Sequence, residues 1–167
     1  MREMPSATPT IKGVVLAAIS FVLEVRAATE IAAAAPAVWA VLTDLRSFAA
    51  WNPFIREARG STEVGGTVHV RVRSALGVPL AFHAKVIASD AEHELHWCGH
   101  VLAPWLARGE HWFTIEPLGD RRVRFEQRER FSGLLPWLAR RLLAREARCG
   151  FAAMNEALAA RAEEAQW

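Results

Sequence analysis

Two segments, Gly109-Glu-His111-Trp-Phe113 and Gln127-Arg-Glu129-Arg-Phe131-Ser-Gly133, carry a histidine, an amide and a carboxylate that a hairpin would bring together. His111, Phe113 and Ile115 alternate onto one face of a strand. Val123, Phe125, Gln127, Glu129 and Phe131 do the same on the next. Register in such a pair is set by joining the apolar faces. With the loop centred on Asp120, His111 pairs with Glu129, Phe113 with Gln127, and Ile115 with Phe125. The opposite face agrees, with Glu116 against Arg124, Thr114 against Glu126, and Trp112 under Arg128. His111 and Glu129 then start about 5 Å apart on an otherwise apolar face. Burial raises the pKa of a carboxylate, and a neighbouring imidazolium offsets that. Three roles stay open: a structural pair, polar contacts from His111, Gln127 and Glu129 to a ligand carbonyl or hydroxyl, or an acid–base couple of His111 and Glu129.

Other chemistry finds less support. His93, His96, Cys98 and His100 invite a metal reading. Alternate residues of a strand stand about 6.6 Å apart, wide for ligands that must each reach one zinc ion at about 2.0–2.3 Å. His96, Cys98 and His100 also oppose the Leu95/Trp97 face and should point outward. Neither a metal nor a cofactor is expected. Cys98 and Cys149 are the only cysteines and form no CxxC pair. Reduced thiols in the cytoplasm are the default, and a disulfide between them stays open. The Gly60–Gly66 region lacks the lysine and the strand–turn–helix setting of a phosphate loop. No serine sits in a nucleophile-elbow sequence. A formal net charge of +2 gives no field for nucleic acid.

The elements that position these residues follow from patterning. With 52% hydrophobic residues in 167, the chain suits a single domain over residues 21–167, preceded by an extension over residues 1–20. The apolar run Gly13 to Leu23 is too short for a bilayer span, which takes about 20 residues. Leu23, Val25 and Ala27 alternate with Glu24 and Arg26, as in a half-buried first strand. The alternative is export, with residues 1–27 as a signal peptide and Val25-Arg-Ala27 as a loose cleavage site. Pro36 marks a helix first turn, with Val38, Val41 and Leu42 as its apolar stripe. Asp44 is a candidate N-cap for a second short helix, Leu45 to Ala50, and Asn52-Pro53 ends it. Strands are predicted at Ile55–Arg59, around Val68–Val72 and Leu80–Val86, and at Glu94–Val101, His111–Glu116 and Val123–Phe131. Turns are predicted at Gly77-Val-Pro79 and Pro117–Asp120. A helix is expected from Pro136 to about Glu164, with Leu143, Ala147, Gly150, Met154 and Ala157 on one face. Strands first and a long helix last is an α+β pattern.

The order of Pro36-Ala-Val-Trp39-Ala-Val-Leu-Thr-Asp44, Trp51-Asn-Pro-Phe54, Leu95-His-Trp97 and the two hairpin segments, followed by an Ala/Leu/Arg helix, resembles the START-like superfamily, in particular its polyketide cyclase/dehydrase-type (SRPBCC) branch. The resemblance runs from about Phe21 to the C-terminus. It implies a helix-grip fold, a curved antiparallel sheet wrapped around a C-terminal helix with a cavity between them. It further implies an apolar small-molecule ligand, such as a lipid, polyketide or aromatic. Residues expected to line the cavity are Trp51, Phe82, Trp97, His111, Phe113, Phe125, Gln127, Glu129 and Met154. Two other functions stay open: a cyclase or dehydratase using His111 and Glu129, and a protein-interaction module. Arg140, Arg141, Arg145 and Arg148 read first as a solvated face. The resembled fold places the segments of Trp105, Trp137 and Leu134-Leu135 beside them, which makes a membrane-surface contact the alternative. Oligomeric state is left open by the sequence.

Overall fold

A computed structural model describes residues 21–73 and 79–165. The extension over residues 1–20, most of the Gly13–Leu23 run and most of the Gly77-Val-Pro79 turn lie outside the described residues. Seven strands form one antiparallel sheet in the order β1-β7-β6-β5-β4-β3-β2. They are β1 (Val22–Ile31), β2 (Ile55–Gly60), β3 (Thr67–Arg73), β4 (Pro79–Asp90), β5 (Glu94–His100), β6 (Arg108–Gly119) and β7 (Arg122–Ser132). From β2 to β7 each strand pairs with its successor, and β1 closes beside β7. Helices α1 (Ala35–Thr43) and α2 (Phe48–Trp51) follow β1, while α3 (Leu134–Leu138) and α4 (Arg140–Glu164) follow β7. This is the α+β helix-grip arrangement expected from the sequence.

Two-residue alternation builds the sheet. Val68, Val70, Ala84, Val86, Leu95 and Trp97 are buried, while their neighbours Arg71, Lys85 and His100 are exposed. Register shifts at Ile55/Glu57 in β2 and at Val86/Ala88 in β4 add local bends to the sheet. The hairpin register follows the sequence reading: His111 opposes Glu129, Phe113 opposes Gln127, and Ile115 opposes Phe125. A bulge does occur, between Pro117 and Gly119. It lies on the turn side of these pairs and leaves them in step. On the outer face the Arg128 guanidinium sits 4.2 Å above the Trp112 ring. His96 stacks on that ring with centroids 4.3 Å apart. Burial there lowers the pKa of the His96 imidazole, and Glu110 and Glu94 oppose the shift.

Strand β1 carries Val25 opposite Glu129 and Ala27 opposite Gln127. The Val25-Arg-Ala27 segment is thus mid-strand. Pro36 occupies the first turn of α1, which buries Val38 and Leu42. The expected second helix begins instead as a 3₁₀ turn, Leu45–Ser47, and the Asp44 side chain makes no cap. The Asp44 main-chain carbonyl takes that place, accepting from Ser47 Oγ at 2.8 Å. Asn52 ends α2 and starts β2: its Oδ1 accepts from the amides of Phe54 (3.0 Å) and Ile55 (2.9 Å).

The C-terminal helix is broken at Ala139 (φ −99°, ψ 16°), so α3 and α4 are separate elements rather than one. Gly133 starts α3 at φ +107°, and a Cβ there would stand 2.9 Å from the carbonyl oxygens of Trp105 and Leu106. Those carbonyls accept from the Leu134 and Leu135 amides at 3.1 and 2.9 Å, which ties loop 101–107 to α3. The buried face of α4 is Ala144, Ala147, Phe151, Met154, Asn155, Leu158 and Ala162. Ala147 and Met154 are as expected, whereas Leu143, Gly150 and Ala157 are only half-buried and Phe151 takes the central place. Ala144 and Ala147 are small enough for α4 to close on Val25. Near its far end, Glu163 Oε1 accepts from the Ala32 amide at 2.9 Å.

Candidate functional site

The buried end of the site is a line of polar side chains inside an apolar core. Glu129 Oε2 lies 3.2 Å from His111 Nδ1. His111 Nε2 lies 3.1 Å from Gln127 Oε1. Gln127 Nε2 donates to Asn155 Oδ1 at 2.6 Å and to the Phe151 carbonyl at 3.3 Å. Gln127 is fully buried, while His111 is 4% and Asn155 2% exposed. Such groups are tolerated in a core only when their hydrogen bonds are made. Asn155 Nδ2 is the exception along this line: it has no partner among the described residues. His111 is held flat against Phe113, ring centroids 4.1 Å apart, with Phe151 at 4.9 Å on another side.

Two clefts open next to this line, between the sheet and the α3–α4 corner. The outer one, about 230 Å³, is lined by Phe82, Gly99, Gly109, Glu129, Phe131, Leu135, Pro136 and Leu143 among others. The inner one, about 220 Å³, is lined by Phe54, Ile55, Val72, Trp97, His111, Glu129, Leu142 and Ala147 among others. They share Leu80, Phe82, Glu129, Phe131, Ala139 and Leu143, and so lie side by side. Arg73 and Glu146 add charge to the inner cleft. A larger hollow, about 510 Å³, is lined by Glu57, Arg59, His69, Arg71, His83 and His100 together with Phe82 and Leu102. Its carboxylate already pairs, Glu57 with Arg59 and with Arg71. The two apolar clefts, with their few polar groups, better match what small-molecule binding needs.

Of the residues expected to line the cavity, Phe82, Trp97, His111 and Glu129 face the clefts. Phe113, Phe125, Gln127 and Met154 are fully buried behind them in the core. Trp51 is half-buried against Phe48 (5.1 Å) and donates from Nε1 to Ser47 Oγ at 3.2 Å. Its neighbour Phe54 is the member of that segment that reaches the inner cleft. Sequence reasoning missed Phe151 and Asn155. The available signal was an asparagine four residues after a phenylalanine, inside a helical stripe of apolar and small side chains. Among the described residues no group of histidine, cysteine and carboxylate side chains is arranged to hold a metal ion. No described helix is long and apolar enough to cross a membrane. Leu102, Trp105, Leu135, Leu138 and Leu142 are exposed, as are Arg140, Arg141, Arg145 and Arg148, and of these Leu135 lines the outer cleft and Leu142 the inner one.

Comparison with solved structures finds the same fold at low identity. An aromatase/cyclase, ZhuI, from Streptomyces sp. R1128 superposes with a TM-score of 0.73 at 20% identity, covering 86% of this chain and 95% of the other. A START superfamily protein from Mycobacterium smegmatis gives 0.70 at 19% identity over 86% and 99% of the two chains. A norcoclaurine synthase from Thalictrum flavum gives 0.68 at 15% identity over 88% and 98%. No curated protein sequence matches this chain at a significant level. The family model described as polyketide cyclase / dehydrase and lipid transport matches residues 22–163, and the chain belongs to that family.

Proposed function

We propose that this protein binds an apolar small molecule, a lipid, polyketide or aromatic, in the paired clefts between the sheet and the α3–α4 corner. The observation that carries this reading is the lining: side chains such as Phe54, Phe82, Trp97, Phe131 and Leu143, with the His111–Glu129 pair in their wall. Apolar burial, at about 25 cal/mol per Å², supplies the affinity. The polar pair fixes orientation. Family membership and the aromatase/cyclase among its structural neighbours support the same ligand class. Native mass spectrometry of freshly purified protein, followed by extraction, tests it. A discrete added mass of an apolar compound is expected. A bare protein mass, together with no uptake of aromatic or fatty-acid probes, would overturn it.

A second reading is supported by the 3.2 Å contact of His111 and Glu129 at the cleft wall: the pair acts as acid and base in a cyclisation or dehydration. It predicts turnover of a poly-ketone substrate that is lost in His111→Ala while ligand retention persists. The two free thiols, Cys98 and the exposed Cys149, favour a reducing compartment, the cytoplasm.

A further inference from the structure

The amides behind His111 decide which of its ring nitrogens carries a proton. The Phe151 carbonyl is a fixed acceptor, 3.3 Å from Gln127 Nε2. A flipped Gln127 amide would set oxygen against that oxygen, so Gln127 must turn its own Oε1 to His111 Nε2, 3.1 Å away. An acceptor at that distance requires a proton on Nε2. The other nitrogen, Nδ1, lies 3.2 Å from Glu129 Oε2. That is a charge contact to one carboxylate oxygen. The second oxygen, Glu129 Oε1, is not the one His111 contacts. An ionised carboxylate oxygen can only accept a hydrogen bond.

That second oxygen is the one on offer to a ligand. It has no hydrogen-bond donor among the described residues. It lies over Gly109, where an added Cβ would stand 2.6 Å from it. Gly109 and Glu129 both line the outer cleft. We propose that Glu129 Oε1 is an acceptor-only subsite, so that the cleft selects ligands carrying a hydroxyl, phenol or enol donor over the same skeleton bearing a ketone or ether. The proposal rests on the clefts being the ligand site. It narrows the carbonyl-or-hydroxyl expectation of the sequence to the hydroxyl side. A site built to hydrogen-bond a ligand donor rejects the analogue lacking it far more strongly than it discriminates by size.

The test is calorimetric titration of the wild-type protein with naphthol, its methyl ether and tetralone, repeated with Glu129→Leu. Naphthol should bind about tenfold to a hundredfold tighter than either analogue, the range for a hydrogen bond to a charged or buried group. That preference should vanish or reverse in Glu129→Leu, where apolar affinity remains. Equal affinities in the wild type, or a preference for the ether or the ketone, would overturn the acceptor-only subsite and leave the apolar cleft standing. A wild-type preference that survives unchanged in Glu129→Leu would overturn it too, by placing the selecting group elsewhere. Failure of all three compounds to bind would overturn the cleft as an aromatic-ligand site and the subsite with it.

Discussion

Replacing Gln127 by leucine keeps a side chain of similar size and removes the amide on which the buried polar line turns. In the native chain that amide is fully buried and satisfies His111 Nε2 and Asn155 Oδ1. Leucine orphans both. An unsatisfied buried polar group costs about 1–3 kcal/mol, so two cost about 2–6. Removing the buried amide itself returns part of that, about 1 kcal/mol. The net expectation is a loss of about 1–5 kcal/mol. For a chain of 167 residues this lowers Tm by about 2–20 °C. Asn155→Leu is expected to be milder, about 1 kcal/mol. Gln127 Nε2 keeps the Phe151 carbonyl, and the unpaired Asn155 Nδ2 disappears. The double variant should lose less than the sum of the two, because Gln127→Leu has already stranded the Asn155 oxygen. Urea unfolding measures all three; the midpoint should fall at constant m-value. A Gln127→Leu protein as stable as the wild type would show that His111 needs no partner at Nε2. The argument for its protonated Nε2 nitrogen would then fail.

Other outcomes follow from single contacts. Asn52→Ala removes the acceptor for two backbone amides, Phe54 and Ile55, and should cost about 1–3 kcal/mol in urea unfolding. Gly150→Ala is ordinarily favourable in a helix by about 1 kcal/mol. Here its Cβ would collide with the Phe54 ring, so the variant should lose about 1–3 kcal/mol and bind cleft ligands more weakly. His96 has a lowered pKa from burial beside Trp112. Its contribution is therefore fully present above the ordinary histidine pKa, about 6.5. It is lost as pH falls from there through the depressed folded value, because the unfolded chain takes up the proton first. Thermal unfolding at pH 7.5 and 5.5 should show a smaller acid loss in His96→Gln; an unchanged loss would refute the assignment.

The hairpin was legible because both of its faces carry information. Apolar residues fix one side, and Glu116/Arg124, Thr114/Glu126 and Trp112/Arg128 fix the other, so a one-residue slip would break both. The break at Ala139 was not legible. Alanine continues a helix by propensity, and the interruption comes from anchoring α3 to the Trp105 and Leu106 carbonyls, a tertiary contact. The face of α4 was offset for a related reason. The stripe Leu143, Ala147, Gly150, Met154 and Ala157 marked a helix, but which helix face meets the sheet depends on where α4 starts. Asp44 shows the limit of local rules at caps: a side chain of the right type stands at the right place, yet the main chain does the bonding. The clefts themselves arise where α3 and α4 meet the sheet's curvature, and the sequence pattern does not encode that distance.

The sheet order has a consequence for how the chain assembles. Among the described residues β1 pairs only with β7, and Ala32 beside it is held by Glu163 of α4. The strands β2 to β7 can zip up as successive hairpins, whereas β1 must wait for β7, which is synthesised well after it. At about 5–20 residues per second, the stretch between Ile31 and Arg122 takes about 5–20 s to emerge. Through that interval β1 is an unpaired strand with two open edges, the form most prone to join the wrong partner. Glu24, Arg26 and Glu30 alternate along it. In the finished protein they make only exposed ion pairs of small worth. Charges spaced in this way along an exposed strand are of the kind that disfavour its pairing with copies on neighbouring chains.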